Sequence, residues 1–216
     1  MITTWKDYLD QERQKPYYKP LQELITESRD LAPRPKDIFA ALRLTPLDAV
    51  KVVIVGYEPY PRAGDANGLA YSAAKANYLP ESLKAIFREL LVETGIARYN
   101  GDLSDWAQQG VLLLNRILTT EVAKAKAHEG LGWERFTGGM IELLATTKTD
   151  LVFVLWGAQA QQVEYLIPSD KGHLVLRAAH PAHEANKPGS KFYGCNHFIH
   201  INRHLAKCGK ETIAWS

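Results

Sequence analysis

Four short, continuously apolar segments constrain the fold of this chain more than any other feature of its sequence. They are KVVIV (51–55), VLLLN (111–115), LVFVLW (151–156) and HLVLRAAHP (173–181). Continuous apolarity over about five residues, without alternation, is typical of strands that are covered on both faces. The segments therefore predict four buried strands.

Helical patterns fill the gaps between these segments. The stretches are PESLKAIFRELL, WERFTGGMIELLA and AQAQQVEYL. The first has apolar residues at helical spacing and is expected to end near Gly95; they are Leu83, Ile86, Phe87, Leu90 and Leu91. Strands that alternate with helices predict a parallel sheet in a layered α/β domain.

Length and composition favour one globular domain over residues 1–216. The 216 residues are 46% hydrophobic, which is enough for a full core, and no Gly/Ser linker or repeat marks a boundary. The two cysteines, Cys195 and Cys208, provide no disulfide framework. No signal region and no run of transmembrane length is found, so we expect a soluble intracellular protein in a reduced compartment, with no membrane partner.

Overall charge does not select a partner, because 26 basic residues nearly balance 24 acidic ones. The C-terminal part is more basic. Residues 170–210 contain seven cationic side chains but only two acidic ones, Asp170 and Glu184. The cationic residues are Lys171, Arg177, Lys187, Lys191, Arg203, Lys207 and Lys210. This stretch is either a surface for a polyanion or an ordinary solvated surface, and composition alone favours neither.

Polar residues follow the predicted strands. Ligands of open parallel sheets bind beyond the carboxyl ends of the strands. The four segments that follow the strands contain Glu58, Asn115, Gln159 and His180. Groups of this kind suit a small planar ligand, although a turn residue that bonds its own backbone is the commoner explanation for any one of them.

Several sequence blocks run along nearly the whole chain; they include QERQKPYYKPLQ, LLLNRILTT, HEGLGWERFT, FVLWGAQAQ, AAHP and FYGCNHF. In this order the blocks resemble those of the family-1 uracil-DNA glycosylases. The resemblance implies a three-layer α/β/α fold around a four-stranded parallel sheet. It also implies hydrolysis of the N-glycosidic bond of uracil flipped out of DNA, which leaves an abasic site, without a metal or organic cofactor.

The same resemblance implies a role for each pocket residue. Asn115 would read the base, because its carboxamide accepts from N3–H and donates to O4 of uracil, whereas cytosine reverses both groups. Tyr60 would exclude the thymine methyl group, and Tyr71 would stack on the base through a ring whose hydroxyl needs a partner. His180 would stabilise the departing uracil anion, and Glu58 would orient the attacking water and stabilise the sugar cation.

Contacts to DNA are implied for a second set of residues. A flipped base requires contacts to the DNA backbone and groove that offset the cost of extrusion. The candidates are Ser82, Ala158, His183, Glu184, Lys187 and Lys191. The expected partners are uracil-containing DNA, single- or double-stranded, and a DNA-mimic inhibitor protein. We expect a monomer in the cytoplasm, or in the nucleus for a eukaryotic or viral host.

The sequence departs from the family at its first motif, where Gly-Gln-Asp-Pro-Tyr-His is replaced by GYEPYP. Tyr57 replaces Gln and reshapes the pocket wall. Glu58 is one methylene longer than Asp, and Pro61 removes a histidine. A carboxylate misplaced by an ångström can cost about a hundredfold in rate.

The loop after His180 also departs, since a longer segment with Glu184 stands where relatives place a leucine wedge. An acidic group there would repel phosphates, so His183 or another residue of the loop fills the gap, or the substrate is single-stranded. Three alternatives stay open. They are a glycosylase for a 5-substituted uracil, a catalytically weak DNA binder and, last, a metal-dependent hydrolase that uses His197, His200 and His204.

Other conspicuous residues are expected to be structural. Cys195 is interpreted as a small buried hydrophobe with no base beside it, and His128 as a structural loop residue. Three tryptophans are predicted to lie in the core rather than to stack on bases; they are Trp106, Trp133 and Trp156.

Overall fold

The structure, a computed structural model, describes residues 2–74, 79–186 and 191–216, with the backbone alone for residues 184–186. The strands, in chain order, are β1 (Leu31–Ala32), β2 (Val52–Gly56), β3 (Val111–Asn115), β4 (Thr120–Glu121), β5 (Val152–Trp156) and β6 (Leu174–Ala178). Four of them form a parallel sheet in the order β3-β2-β5-β6, while β1 and β4 pair antiparallel beside it. The predicted α/β fold with a four-stranded parallel sheet is confirmed.

The helices, in chain order, are α1 (Trp5–Glu12), α2 (Tyr18–Glu27), α3 (Ala40–Leu44), α4 (Glu81–Thr94), α5 (Ser104–Gln108), α6 (Trp133–Thr147), α7 (Ala158–Gln161), α8 (Pro181–Asn186) and α9 (His197–Lys207). Short 3-10 turns lie at Pro35–Asp37, Glu164–Leu166 and Ser169–Lys171. Among the described helices, none is both long and apolar enough to cross a bilayer.

Burial along the sheet follows the apolar segments. Every residue of β2, β3 and β5 is buried, as the continuous apolarity predicts for strands that are covered on both faces. The fourth segment is different, because only Ala178 of β6 is buried. β6 is at one edge of the sheet and pairs with β5 alone, but β3 at the other edge is fully buried, so the edge position does not by itself account for the exposure of β6.

Helix α4 buries most of the apolar residues that its sequence places at helical spacing. Leu83, Ile86 and Leu90 are buried, and the helix ends at Gly95, whose left-handed backbone (φ 76°) turns its N–H to the carbonyl of Leu91 at 2.9 Å. The side chain of Leu91 lies one residue beyond that face and is exposed.

The AQAQQVEYL stretch is less helical than its sequence predicts. Helix α7 stops at Gln161, and a separate 3-10 turn follows at Glu164–Leu166. The break places Val163 in the core while Tyr165 is exposed. The tryptophan prediction is confirmed, since Trp106, Trp133 and Trp156 are almost completely buried.

Candidate active site

The carboxyl ends of the strands bring three of the four residues predicted there to one cavity; they are Glu58, Asn115 and His180. The last residues of β2 and β3, Gly56 and Asn115, lie side by side in register. The cavity has a volume of about 200 Å³. It is lined by Tyr57, Glu58, Pro59, Tyr60, Pro61, Ala66, Gly68, Leu69, Tyr71, Ser72, Ser82, Asn115 and His180. Gln159, the residue predicted after β5, is not part of this lining.

Asn115 is buried at the floor of this cavity, with 5% of its surface exposed. Its carboxamide makes no hydrogen bond within residues 2–74, 79–183 and 191–216, so both its donor and its acceptor are available to a ligand. Gly56 makes room for it, because a Cβ at residue 56 would lie 2.3 Å from Asn115 Oδ1. The amide is therefore held in a place that admits no side chain beside it.

His180 presents a defined hydrogen-bond donor. Its Nδ1 accepts from the N–H of Ala182 at 3.2 Å, which leaves the proton of a neutral ring on Nε2. Burial, with a smaller contribution from His183, lowers the pKa of His180 to about 4, so the ring is neutral at neutral pH. Gly157 allows this packing, since a Cβ there would meet His180 Cβ at 2.9 Å.

Glu58 is a half-buried carboxylate at the rim of the cavity. Its Oε2 accepts from the backbone N–H of Lys126 at 2.7 Å. Burial raises the pKa of Glu58, while the amide and the ammonium group of Lys126 oppose that shift. The carboxylate is therefore anchored by a turn that lies far from it in sequence.

Aromatic side chains form the walls. The hydroxyl of Tyr60 donates to the carbonyl of Tyr71 at 3.0 Å and lies 2.8 Å from Ser82 Oγ, which fixes the ring from two sides. Tyr71 has a left-handed backbone (φ 63°), which is uncommon for a bulky residue, and packs edge-on against Trp156. Its hydroxyl finds the expected partner in the carbonyl of Trp156 at 3.4 Å.

Tyr57 forms the wall beside Glu58, and its ring lies under the ammonium group of Lys126, 5.6 Å from Nζ to the ring centroid. Burial raises the pKa of Tyr57, and the neighbouring carboxylate of Glu129 adds to that shift. The phenol therefore stays protonated.

The residues predicted to contact DNA differ in their solvent exposure. Ser82 is buried in the cavity wall, whereas Ala158, His183 and Lys191 are exposed. Glu184 lies on α8, but its side chain falls outside the described part of the structure. Lys187 lies outside the described residues altogether.

Two cations of the basic C-terminal stretch lie apart from each other in the structure. Arg177 pairs with Glu164, and Lys210 donates to the carbonyls of Thr149 and Asp150. Residues 149 and 150 precede β5, at the amino-terminal end of the strands, whereas the cavity lies at their carboxyl end. Arg177 and Lys210 therefore lie toward opposite ends of the sheet.

The histidines of α9 are not gathered as ligands. His197 is buried, and its Nδ1 accepts from Trp156 Nε1 at 2.9 Å, while His200 is exposed. His128 is buried and bonds to the hydroxyl of Thr119 at 2.8 Å, which fits the predicted structural role.

Cys195 is half-buried, and burial raises the pKa of its thiol to about 12. The expectation that no base lies beside it is wrong, since Glu93 Oε1 is 3.8 Å from Sγ. The pKa of Glu93 is raised to about 7 by burial and by the neighbouring Glu89. Both carboxylates accept backbone N–H groups at or just before the start of α9, the buried Glu89 from Gly194 and the half-buried Glu93 from Phe198.

The sequence patterns did not predict that the backbone amide of Lys126 bonds to the Glu58 carboxylate, or that Leu69 and Ser72 line the cavity. The amide has no side-chain signature. Leu69 and Ser72 lie in the same loop as Tyr71, so their proximity to a predicted residue was the one signal available.

An amide, a neutral imidazole and a carboxylate surround one small cavity at the carboxyl ends of a parallel sheet, which suits an enzyme that holds a planar heterocycle and acts on a bond next to it. The comparisons with known proteins agree. Residues 43–206 match the model of the uracil DNA glycosylase superfamily. A uracil-DNA glycosylase of Azobacteroides pseudotrichonymphae is 43% identical over 98% of this chain and 97% of its own length.

Solved structures extend the match to the fold. The mimivirus uracil-DNA glycosylase superposes with a TM-score of 0.86 at 27% identity, over 98% of this chain and 85% of that one. A variant of the mimivirus enzyme, solved in complex with UGI, gives a TM-score of 0.87 at 27% identity, over 98% of this chain and 87% of that one. The chain belongs to the uracil-DNA glycosylase family, and the activity expected from its sequence is confirmed at that level.

Proposed function

We propose that this uracil-DNA glycosylase hydrolyses the N-glycosidic bond of a uracil flipped out of DNA, with Asn115, His180 and Glu58 as the working groups. The observation that carries the proposal is the convergence of these three side chains on one cavity of about 200 Å³. Each presents the hydrogen-bonding atom that its role needs. The product is an abasic site, and residues 1–216 act as one catalytic domain.

Base reading would rest on Asn115. Its amide can accept from N3–H and donate to O4 of uracil at the same time. Cytosine offers an acceptor and a donor at those two places, so binding it would leave two buried polar groups unpaired, at about 1–3 kcal/mol each. The lack of a competing partner for the amide among the described residues supports this role.

Two groups would stabilise the charges that develop as the bond breaks. Negative charge gathers on the departing uracil, and the Nε2–H of His180 would donate to its O2 atom. A neutral imidazole suits this role because it keeps its proton and adds no buried charge before the reaction. Positive charge gathers on the sugar, where the carboxylate of Glu58 would stabilise it and would accept a hydrogen bond from the attacking water.

The pocket walls would select the base by volume. The ring of Tyr60, fixed through Ser82 and the carbonyl of Tyr71, would occupy the space beside C5. A ring that is held at its hydroxyl cannot swing aside cheaply, which favours uracil over 5-substituted uracils. Tyr71 would stack on the base.

DNA would be held by groups around the cavity mouth. Exposed positions there are Ala158, on the segment after β5, and His183 on α8, while Lys191 would add charge. Ser82 would reach a phosphate only by giving up its contact with Tyr60. Glu184 and Lys187 remain proposed DNA contacts, as the resemblance implies. A DNA-mimic inhibitor would cover the same mouth, and we expect a monomer in the cytoplasm, or in the nucleus for a eukaryotic or viral host.

The test is base release from labelled oligonucleotides, single- and double-stranded, that carry uracil, thymine or 5-hydroxymethyluracil, with and without EDTA. We expect alkali-labile sites at uracil alone, unaffected by EDTA. Preference for the modified base would replace the proposal with its first alternative. DNA binding without abasic sites would indicate a silent binder, and loss of activity in EDTA would contradict the metal-free mechanism.

Variants test the individual roles. Glu58→Gln is expected to lower the single-turnover rate about 10²–10⁴-fold and His180→Ala about 10²–10³-fold, with much smaller effects on DNA binding. His200→Ala, an exposed histidine on α9, is the matched control and should keep the full rate. Unchanged rates in the first two variants would overturn their assigned roles.

A further inference from the structure

The three residues at which the first motif departs from the family contact one and the same turn. We call residues 120–126 the 120–126 turn. Its Ala123 N–H donates to the carbonyl of Pro61 at 2.8 Å, and its Lys126 N–H donates to Glu58 Oε2 at 2.7 Å. The ammonium group of Lys126 lies over the ring of Tyr57, 5.6 Å from the centroid. The altered positions are therefore linked to one another through a single element.

Hydrogen bonds within the turn shape it for this contact. Thr120 Oγ1 donates to the carbonyl of Lys124 at 2.7 Å, and the N–H of Lys124 donates to the carbonyl of Glu121 at 3.0 Å. The turn is also tied to the N-terminal part of the chain, since the N–H of Val122 donates to the carbonyl of Asp30 at 2.8 Å.

Backbone conformation supports the same conclusion. Ala123 and Lys126 are both left-handed, with φ of 63° and 62°. A left-handed conformation is unfavourable for residues other than glycine, and it persists where surrounding contacts hold it. These are the two residues whose amides bond to Pro61 and Glu58, so the unfavourable conformations lie where the turn meets the motif.

The length of the acid fits this arrangement. Glutamate extends its carboxyl group by one methylene, about 1.5 Å more than aspartate. In this structure the longer side chain places Glu58 Oε2 2.7 Å from the backbone nitrogen of Lys126. We infer that the 120–126 turn positions the catalytic carboxylate, so that Glu58, anchored by the Lys126 amide, is the acid that fits this site and a shorter one is not. The inference rests on the proposed role of Glu58.

Charge around the carboxylate is consistent with an anchor for the ionised form. Burial favours protonation of Glu58, and Glu129 adds to that tendency. The Lys126 amide and ammonium group favour ionisation. Removing the amide donor therefore shifts the balance toward the protonated acid, which cannot act as a base.

The anchor can be removed without changing a side chain. Replacing Lys126 by its α-hydroxy analogue turns the amide into an ester, which puts an oxygen in place of the N–H, weakens the preceding carbonyl as an acceptor and keeps every side chain. The same α-hydroxy lysine at position 124 is the matched control, because it deletes the N–H that bonds within the turn to Glu121. Uracil release is measured in single turnover across pH, together with DNA affinity.

We expect the ester at 126 to lower the rate about tenfold to a hundredfold, with DNA affinity unchanged. The acid limb of its pH–rate profile should move to higher pH, because the ionised form of Glu58 has lost a donor. The ester at 124 should retain the unsubstituted rate and acid limb. Equal losses at 126 and 124, or no loss at 126, would overturn the inference.

A second variant tests the length of the acid. Glu58→Asp should lower the rate at least about tenfold, because its carboxylate no longer reaches the Lys126 amide. A rate equal to or above that of the unsubstituted protein would contradict the inference. Failure of the proposed function is a separate result: the unsubstituted protein would then release no uracil at all, whereas failure of the positioning role leaves that activity intact.

Discussion

The side-chain oxygen of Asn115 lies directly over Gly56 on the neighbouring strand, where a methyl group would approach it to 2.3 Å. The same methyl group would approach Ala70 Cβ to 2.8 Å. Ala70 Cβ cannot rotate away from such a methyl group, and the buried carboxamide of Asn115 would have to leave its present position. The position of the Asn115 amide is therefore coupled to the absence of a side chain at residue 56.

Gly56→Ala is predicted to displace the carboxamide of Asn115 and to strain the strand ends. We expect the free energy of unfolding to fall by about 1–3 kcal/mol and uracil release to slow sharply, with weaker discrimination against cytosine. Denaturant unfolding and single-turnover assays measure the two effects. Gly138→Ala is the matched control. Gly138 lies on α6, and a Cβ there would meet Leu166 Cδ1 of the 3-10 turn at an ordinary 3.8 Å, so stability should rise by about 0.5–1 kcal/mol at full activity.

Asn115→Asp is predicted to relax the choice between uracil and cytosine. A protonated carboxyl group can donate through one oxygen and accept through the other, so it can match either base, whereas the amide matches one. We expect slower uracil release and measurable cytosine release. Asn115→Ala is the comparison, because it should lose uracil release without gaining cytosine release. An aspartate variant that releases no cytosine would contradict the assigned reading role.

The sequence predicted much of the sheet and the site because both follow from local patterns. β2, β3 and β5 start and end within one residue of their apolar segments. Glu58, Asn115 and His180 meet because the carboxyl ends of parallel strands share one edge, a rule that needs no tertiary detail.

The contacts that were missed depend on backbone groups and on long-range placement. The amide that anchors Glu58 belongs to Lys126, in a stretch that reads AKAKAH and contains no glycine to indicate left-handed residues. Likewise, Arg177 and Lys210 belong to the same basic C-terminal stretch, yet Lys210 lies at the end of the sheet opposite the cavity. Proximity in sequence could not reveal that separation.

Stability is predicted to decrease as the pH falls from about 6.5 to 4, partly through His197. Burial lowers the pKa of His197 to about 4 in the folded protein, against about 6.5 in the unfolded chain. Between these two pKa values the unfolded chain binds a proton that the folded protein does not, so the free energy of unfolding decreases as the pH is lowered. His197→Gln keeps an acceptor for Trp156 Nε1 and should reduce this dependence in denaturant titrations. Equal pH dependence in both proteins would contradict the prediction.

Tyr60→Ala is predicted to admit thymine. In the proposed mode of binding the ring of Tyr60 would fill the space beside C5, and its hydroxyl is held by Ser82 and by the carbonyl of Tyr71. Removing the ring makes room for a methyl group, so thymine release from single-stranded oligonucleotides should appear while cytosine release stays absent, because Asn115 is unchanged. Single-stranded substrate is chosen because it removes the cost of extruding a paired base.

Tyr60→Phe separates volume from anchoring. The ring remains, so thymine should still be excluded if volume alone decides. If the hydroxyl contacts also hold the ring in place, Tyr60→Phe and Ser82→Ala should both allow slow release of 5-substituted uracils, since an unanchored ring can shift. Thymine release by Tyr60→Ala no faster than by the unsubstituted protein would rule out Tyr60 as the residue that excludes the methyl group.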